Sequence, residues 1–141
     1  MSLDRTDGIL CLDGVRLDEV ADRFGTPTYV YSWNNIEARY QDLAGAFADT
    51  RHRICYAVKA NSNLAILRHL SELGANFDIV SGGELERLMV VGISPSQAIF
   101  SGVGKSVAEI DFALKAGIGC INMESTAELE RIEARSILLG K

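Results

Sequence analysis

The sequence predicts an α/β fold on a parallel sheet, and three observations carry that prediction. Short apolar runs recur at Ile54–Val58, Phe77–Val80, Ala98–Phe100 and Gly119–Met123, with starts about 21–23 residues apart. That spacing is the length of one strand, one turn, one helix and a return loop. The intervening stretches open on a helix-start signature: "SGGE" (81–84), "SVAE" (106–109) and "STAE" (125–128) all fit Ser-x-x-Glu. In that pattern the serine caps the N3 amide and the glutamate reaches back. Between the runs, apolar residues return at helical spacing. Strand–helix units in succession require right-handed crossovers and parallel strands. Both an open doubly wound sheet and a (β/α)8 barrel satisfy this, four units being half a barrel.

Ahead of residue 54 the pattern differs, with a strand-like "TPTYVYS" (26–32) and a helix from about Asn35 to Ala48. In the repeating part, Asn63 is placed to cap a helix beginning at Leu64. The expected inward faces are Ile66, Leu67, Leu70 and Leu73; Leu85, Leu88 and Met89; Ile110, Ala113 and Leu114; and Leu129 with Ile132. Gly74, Gly92 and Gly117 stand near the helix ends, where a left-handed cap favours glycine.

Composition narrows the function classes. Of 141 residues, 48% are apolar and 23% charged, an ordinary globular balance with room for one real core. A formal charge of −5 and the lack of a basic run argue against nucleic acid or an anionic membrane as partner. The longest uncharged stretch, Leu88 to Gly104 apart from its neighbours, is interrupted by Gly92, Pro95 and three serines, so no transmembrane helix is expected. "MSLDRTDGIL" lacks the apolar core of a signal peptide. Cys11, Cys55 and Cys120 are odd in number and far apart, which suits a reduced, cytoplasmic protein. With only His52 and His69, no metal site is expected, and His69 reads as a surface or packing residue of a helix.

Parallel α/β folds place their chemistry at the carboxyl ends of the strands, where three candidates sit. "SGVGKS" (101–106) imitates a P-loop, but position 99 holds Ile99 instead of glycine; as a dinucleotide fingerprint it has Val107 at the third glycine position. A tight turn with Ser106 capping the next helix accounts for it. Lys59, at the end of the first apolar run, is either a lysine escaping to solvent or an amine in a partly desolvated pocket. Desolvation favours a neutral, nucleophilic lysine suited to a Schiff base. Asp78 closes the second run in "NFDIVSGGEL" and reads equally as a turn former; Glu84 is accounted for by its capping role.

Five blocks in order, "GTPTYVYS" (25–32), "YAVKAN" (56–61), "FDIVSGGELE" (77–86), "FSGVGKS" (100–106) and "NMESTAELERI" (122–132), resemble the diaminopimelate decarboxylases. These belong to the alanine-racemase-like, fold-type III group of pyridoxal-phosphate enzymes. The resemblance runs from about residue 8 to residue 133 and implies the N-terminal half of a PLP-binding (β/α)8 TIM-type barrel. It divides the chain into residues 1–34, whose strand joins a C-terminal β domain in the family, and residues 35–141, a partial barrel. It further implies that Lys59 forms the Schiff base with pyridoxal 5′-phosphate, that Asp78 lies near the cofactor, and that Glu84 supports the site. The implied reaction is decarboxylation of meso-2,6-diaminopimelate to L-lysine by a cytoplasmic homodimer. The family's stacking histidine, phosphate cradle, pyridine-nitrogen acid and cross-dimer cysteine and tyrosine lie beyond residue 141, so residues 1–141 are expected to be inactive alone. Two alternatives remain: another decarboxylase of the group, of ornithine or arginine type, and a non-catalytic half-barrel that associates with a partner chain.

Overall fold

The structure is a computed structural model and describes residues 3–141. These form two compact units that divide between Arg51 and His52.

The first unit begins with a three-stranded antiparallel meander: β1 (Leu3–Thr6), β2 (Ile9–Leu12) and β3 (Val15–Arg16). Each hairpin turns on an Asp-Gly pair. Asp7 and Gly8 have φ of 53° and 80°, Asp13 and Gly14 of 53° and 78°. Two successive positive φ values define the type I′ turn, whose twist matches paired strands. Helix α1 (Leu17–Phe24) follows, then α2 (Trp33–Ala46). The Ser32 hydroxyl accepts from the Asn35 amide at 3.0 Å, capping α2, and donates to the Asp13 carboxylate at 2.5 Å. "TPTYVYS" is not a strand: residues 26–32 pair with no other segment among the described residues, and Tyr29 is 89% exposed. Strand-forming side chains alone do not make a strand when no ladder partner is present.

The second unit is the repeating one. Its elements are β4 (Cys55–Ala57), α3 (Leu64–Glu72), β5 (Asn76–Ile79), α4 (Gly82–Val90), β6 (Ala98–Phe100), α5 (Val107–Ala116), β7 (Cys120–Ile121) and α6 (Thr126–Leu139). The strands are parallel and lie in the order β4-β5-β6-β7. That order decides between the two architectures. A doubly wound sheet reverses its strand order at a switch point; here every strand adds to the same edge, so right-handed crossovers put all the helices on one face, as in a barrel.

The register sorts the two faces. Tyr56, Phe77 and Ala98 share one row, and Ile79 and Phe100 the next. Phe77, Ile79 and Phe100 are fully buried, as are Leu67, Leu85, Leu88 and Ile110 on the helices. Burial of each such side chain contributes about 1.5–3 kcal/mol. The opposite face carries Cys55 with Asn76, then Ala57, Asp78, Ile99 and Cys120 in register. None of these six is buried.

Helix starts follow the predicted chemistry. The side chains of Asn63, Ser81, Ser106 and Ser125 all accept an amide of the following turn. Only Ser106 and Glu109 form the full reciprocal box. Glu84 and Glu128 reach one residue further back, to the amides of Val80 (2.7 Å) and Glu124 (2.8 Å). The predicted inward face holds only in part on α6: Ile132 is half-buried, but Leu129 is 45% exposed and the buried residue is Glu128. An ion pair with Lys105, described below, draws Glu128 inward and turns Leu129 out. Met89 of α4 is likewise exposed at 43%. At the start of β7 a Cβ on Gly119 would lie 2.2 Å from the Ser96 carbonyl oxygen, so only glycine lets the chain pass there.

Candidate active site at the carboxyl ends of the parallel strands

The first strand ends earlier than its apolar run suggests. After Ala57 the chain leaves the sheet in one 3-10 turn, Val58–Ala60, with Val58 fully buried and Lys59 exposed. The Tyr56 hydroxyl donates to the Asn61 carbonyl at 3.1 Å, pinning this turn from below. The Asn61 side chain accepts from the Asn63 amide, and Asn63 accepts from Ala65, launching α3. The segment "YAVKAN" is thus a rigid corner that presents one lysine. Among the described residues that lysine pairs with no carboxylate.

Asp78 is half-buried on the face of β5 opposite Phe77 and Ile79, in register with Ala57, two residues before Lys59. Its Oδ1 accepts from the Ser101 hydroxyl at 2.5 Å. Ser101 in turn accepts from the Asn122 side-chain amide at 3.1 Å. Ser101 and Asn122 each follow a strand directly, and their amides extend the ladder to Ile79 and Phe100 at 2.8 and 2.9 Å. The ends of β5, β6 and β7 are therefore joined by one polar line. Glu84 stands at the start of α4, its carboxylate taken up by the Val80 amide, so its visible work is capping.

Lys105 of "SGVGKS" has another task. It is 4% exposed and lies 5.8 Å from the Phe100 ring centre. Its ammonium donates to the Gly102 and Asn122 carbonyls at 2.7 Å each and to both Glu128 carboxylate oxygens at 3.3 Å. A buried lysine with its donors engaged is a strap between two loops and offers no nucleophile. Sequence reasoning missed Lys105, Glu128, Ser101 and Asn122. The available signal was positional: Ser101 and Asn122 are the polar residues at the ends of the third and fourth apolar runs, as Lys59 is of the first. His69, on α3, pairs with Glu72 at 2.7 Å on the surface.

Burial pushes the Cys55 thiol above its ordinary range, the Asp78 carboxylate on the same face adds to this, and Arg53 opposes it. Asp78→Asn is therefore expected to bring the thiol part of the way back. In a Cys120→Ser background, alkylation of Cys55 at mildly alkaline pH should quicken about two- to threefold. A pH profile identical to that of the parent would contradict the shared face.

The family described as "Pyridoxal-dependent decarboxylase, pyridoxal binding domain" matches residues 33–136. The chain belongs to the pyridoxal-dependent decarboxylases. The family's cofactor is pyridoxal phosphate. The diaminopimelate decarboxylase of Pseudomonas aeruginosa is 52% identical over 134 residues, which cover 95% of this chain and 32% of that protein. The structure of diaminopimelate decarboxylase from M. jannaschii in co-complex with L-lysine matches with a TM-score of 0.92 at 35% identity, over 99% of this chain and 33% of that one. The lysine/ornithine decarboxylase of Vibrio vulnificus, complexed with putrescine, matches with a TM-score of 0.77 at 26% identity, over 84% of this chain and 32% of that one. The chain thus spans about a third of the length of the relatives it matches.

The donor set at the strand ends fits the anchoring of an aldehyde cofactor. Of the four lysines, Lys115 lies on α5 and Lys141 at the end of the sequence, while Lys105 is buried and engaged. Among the described residues, only Lys59 offers an accessible lysine amine at the carboxyl end of a strand, with a carboxylate on the neighbouring strand. No helix among the described residues is long and apolar enough to cross a membrane.

Proposed function

We propose that the protein acts in the PLP-dependent decarboxylation of meso-2,6-diaminopimelate to L-lysine, the chain contributing the lysine-bearing half of the barrel. The observation that carries this reading is the contrast between the two lysines at strand ends: Lys105 is buried and fully engaged, whereas Lys59 is open to react. Lys59 would hold the cofactor through its amine, and Asp78 would supply negative charge beside it. Bound there, pyridoxal phosphate supplies an electron sink for the pair left behind when a carboxylate departs. Glu84 supports the site from the α4 N-terminus by holding the Val80 amide, which follows β5.

In this reading residues 1–34 go with the β-rich part of the whole protein and residues 35–141 with the barrel. The enzyme is a cytoplasmic homodimer, in keeping with three free cysteines and a net charge of −5. The choice of diaminopimelate over ornithine or arginine rests on the higher likeness to the diaminopimelate enzymes, 52% against 26%. A chimera tests it directly. Residues 1–141, joined to the remaining two thirds of the Pseudomonas aeruginosa relative, should release L-lysine from meso-diaminopimelate and leave ornithine and arginine nearly untouched. Residues 1–141 alone should release none. A chimera that decarboxylated ornithine as fast would move the assignment to the ornithine and arginine type.

A further inference from the structure

The polar line at the strand ends has more order than a loop contact requires. Ser101 has a single proton. Because the Asn122 Nδ2 group donates into its oxygen at 3.1 Å, that proton is directed to Asp78 Oδ1, at 2.5 Å. The Asn122 side chain is itself oriented, since its Oδ1 faces the Cys120 thiol at 3.8 Å, leaving the amide nitrogen for Ser101. Its backbone is held on both sides, the amide by the Phe100 carbonyl and the carbonyl by Lys105 at 2.7 Å. Lys105 is fixed by Glu128 and Gly102, and Glu128 by the Glu124 amide. An unbroken series therefore runs from a buried ion pair at α6, across the ends of β7 and β6, to the carboxylate on β5.

We propose that Ser101 and Asn122 are positioning residues that fix the Asp78 carboxylate at the mouth of the sheet, with the buried Lys105–Glu128 pair as their anchor. A short bond to an ionised acceptor is among the stronger hydrogen bonds in proteins. Here it occupies one carboxylate oxygen and leaves the other as an acceptor for a cation. Asp78 is in register with Ala57, two residues before Lys59, so the fixed charge sits beside the strand that carries the amine. The proposal rests on the preceding functional reading only for what the carboxylate serves; the relay stands on geometry.

The test uses residues 1–141 with two separable measurements on Ser101→Ala and Ser101→Thr. Without cofactor, NMR follows the Asp78 side-chain carboxyl carbon and the Asn122 side-chain amide. Both signals should move in Ser101→Ala and return close to their parental values in Ser101→Thr, which restores the hydroxyl. With limiting pyridoxal phosphate and borohydride, capture at Lys59 should fall about tenfold in Ser101→Ala, as expected on losing a hydrogen bond to a charged group. It should stay within twofold of the parent in Ser101→Thr, with thermal midpoints of the two variants alike. Unmoved NMR signals in Ser101→Ala overturn the relay, and so does capture at the parental level in a variant whose signals have moved. If the parent itself captures nothing at Lys59, capture is measured in the chimera with the remaining two thirds of the Pseudomonas aeruginosa relative; no label at Lys59 there overturns the functional reading, while the NMR signals decide the relay. Lys105→Met serves as a second variant, since loss of the anchor should disturb the Asn122 amide in the same sense.

Discussion

Replacing Glu128 with alanine is expected to destabilise the protein by about 3–5 kcal/mol, the cost of breaking a buried ion pair from one side. The side chains of Lys105 and Glu128 are 1% and 5% exposed, so water cannot take over the solvation that the carboxylate provides. The ammonium would keep the Gly102 and Asn122 carbonyls but would carry an uncompensated charge beside the Phe100 ring. The Glu124 amide would lose its acceptor as well. Replacing both members, as in Lys105→Met with Glu128→Leu, removes the charge together with its partner and should cost much less, because the desolvation penalty disappears with the attraction. Urea unfolding of the two variants beside the parent measures the difference. A Glu128→Ala variant within 1 kcal/mol of the parent would mean that the pair is not buried as described.

That pair also shows where the sequence stops being legible. The strand–helix period, the three serine caps and Asn63 were readable because each depends on neighbours within about four residues. The barrel came from the resemblance and not from the period, because period alone cannot tell sequential addition from a switch of direction. On α6 hydropathy points Leu129 inward, while the deciding contact, Glu128 to Lys105, spans 23 residues and lies outside the reach of any local pattern. The two Asp-Gly hairpins could have been read from their dipeptides, yet the apolar "TPTYVYS" drew the strand assignment instead. In the candidate site, position placed Lys59, Asp78 and Glu84 at strand ends or a helix start, and only the resemblance implied a role for each. Ser101 and Asn122 did not, since a serine and an asparagine at a turn are ordinary until the fold brings them to a carboxylate.

Replacing Lys59 with alanine is expected to reduce reductive capture of pyridoxal phosphate to background. The change should leave stability within about 0.5 kcal/mol, because the side chain is exposed and unpaired among the described residues. Lys59→Arg should behave the same way: it keeps the positive charge, so any loss it shows belongs to the amine as nucleophile. Lys115→Arg should capture like the parent. Its lysine lies on α5, away from the strand ends, one helical turn from Asp111.

The central claim is that one amine at the end of β4 is the cofactor's point of attachment. The direct measurement is peptide mapping of the parental protein after borohydride reduction with pyridoxal phosphate. The account predicts the pyridoxyl group on the peptide containing Tyr56–Asn61, at Lys59. Labelling concentrated on Lys105, Lys115 or Lys141, or spread evenly over the four lysines, would contradict it.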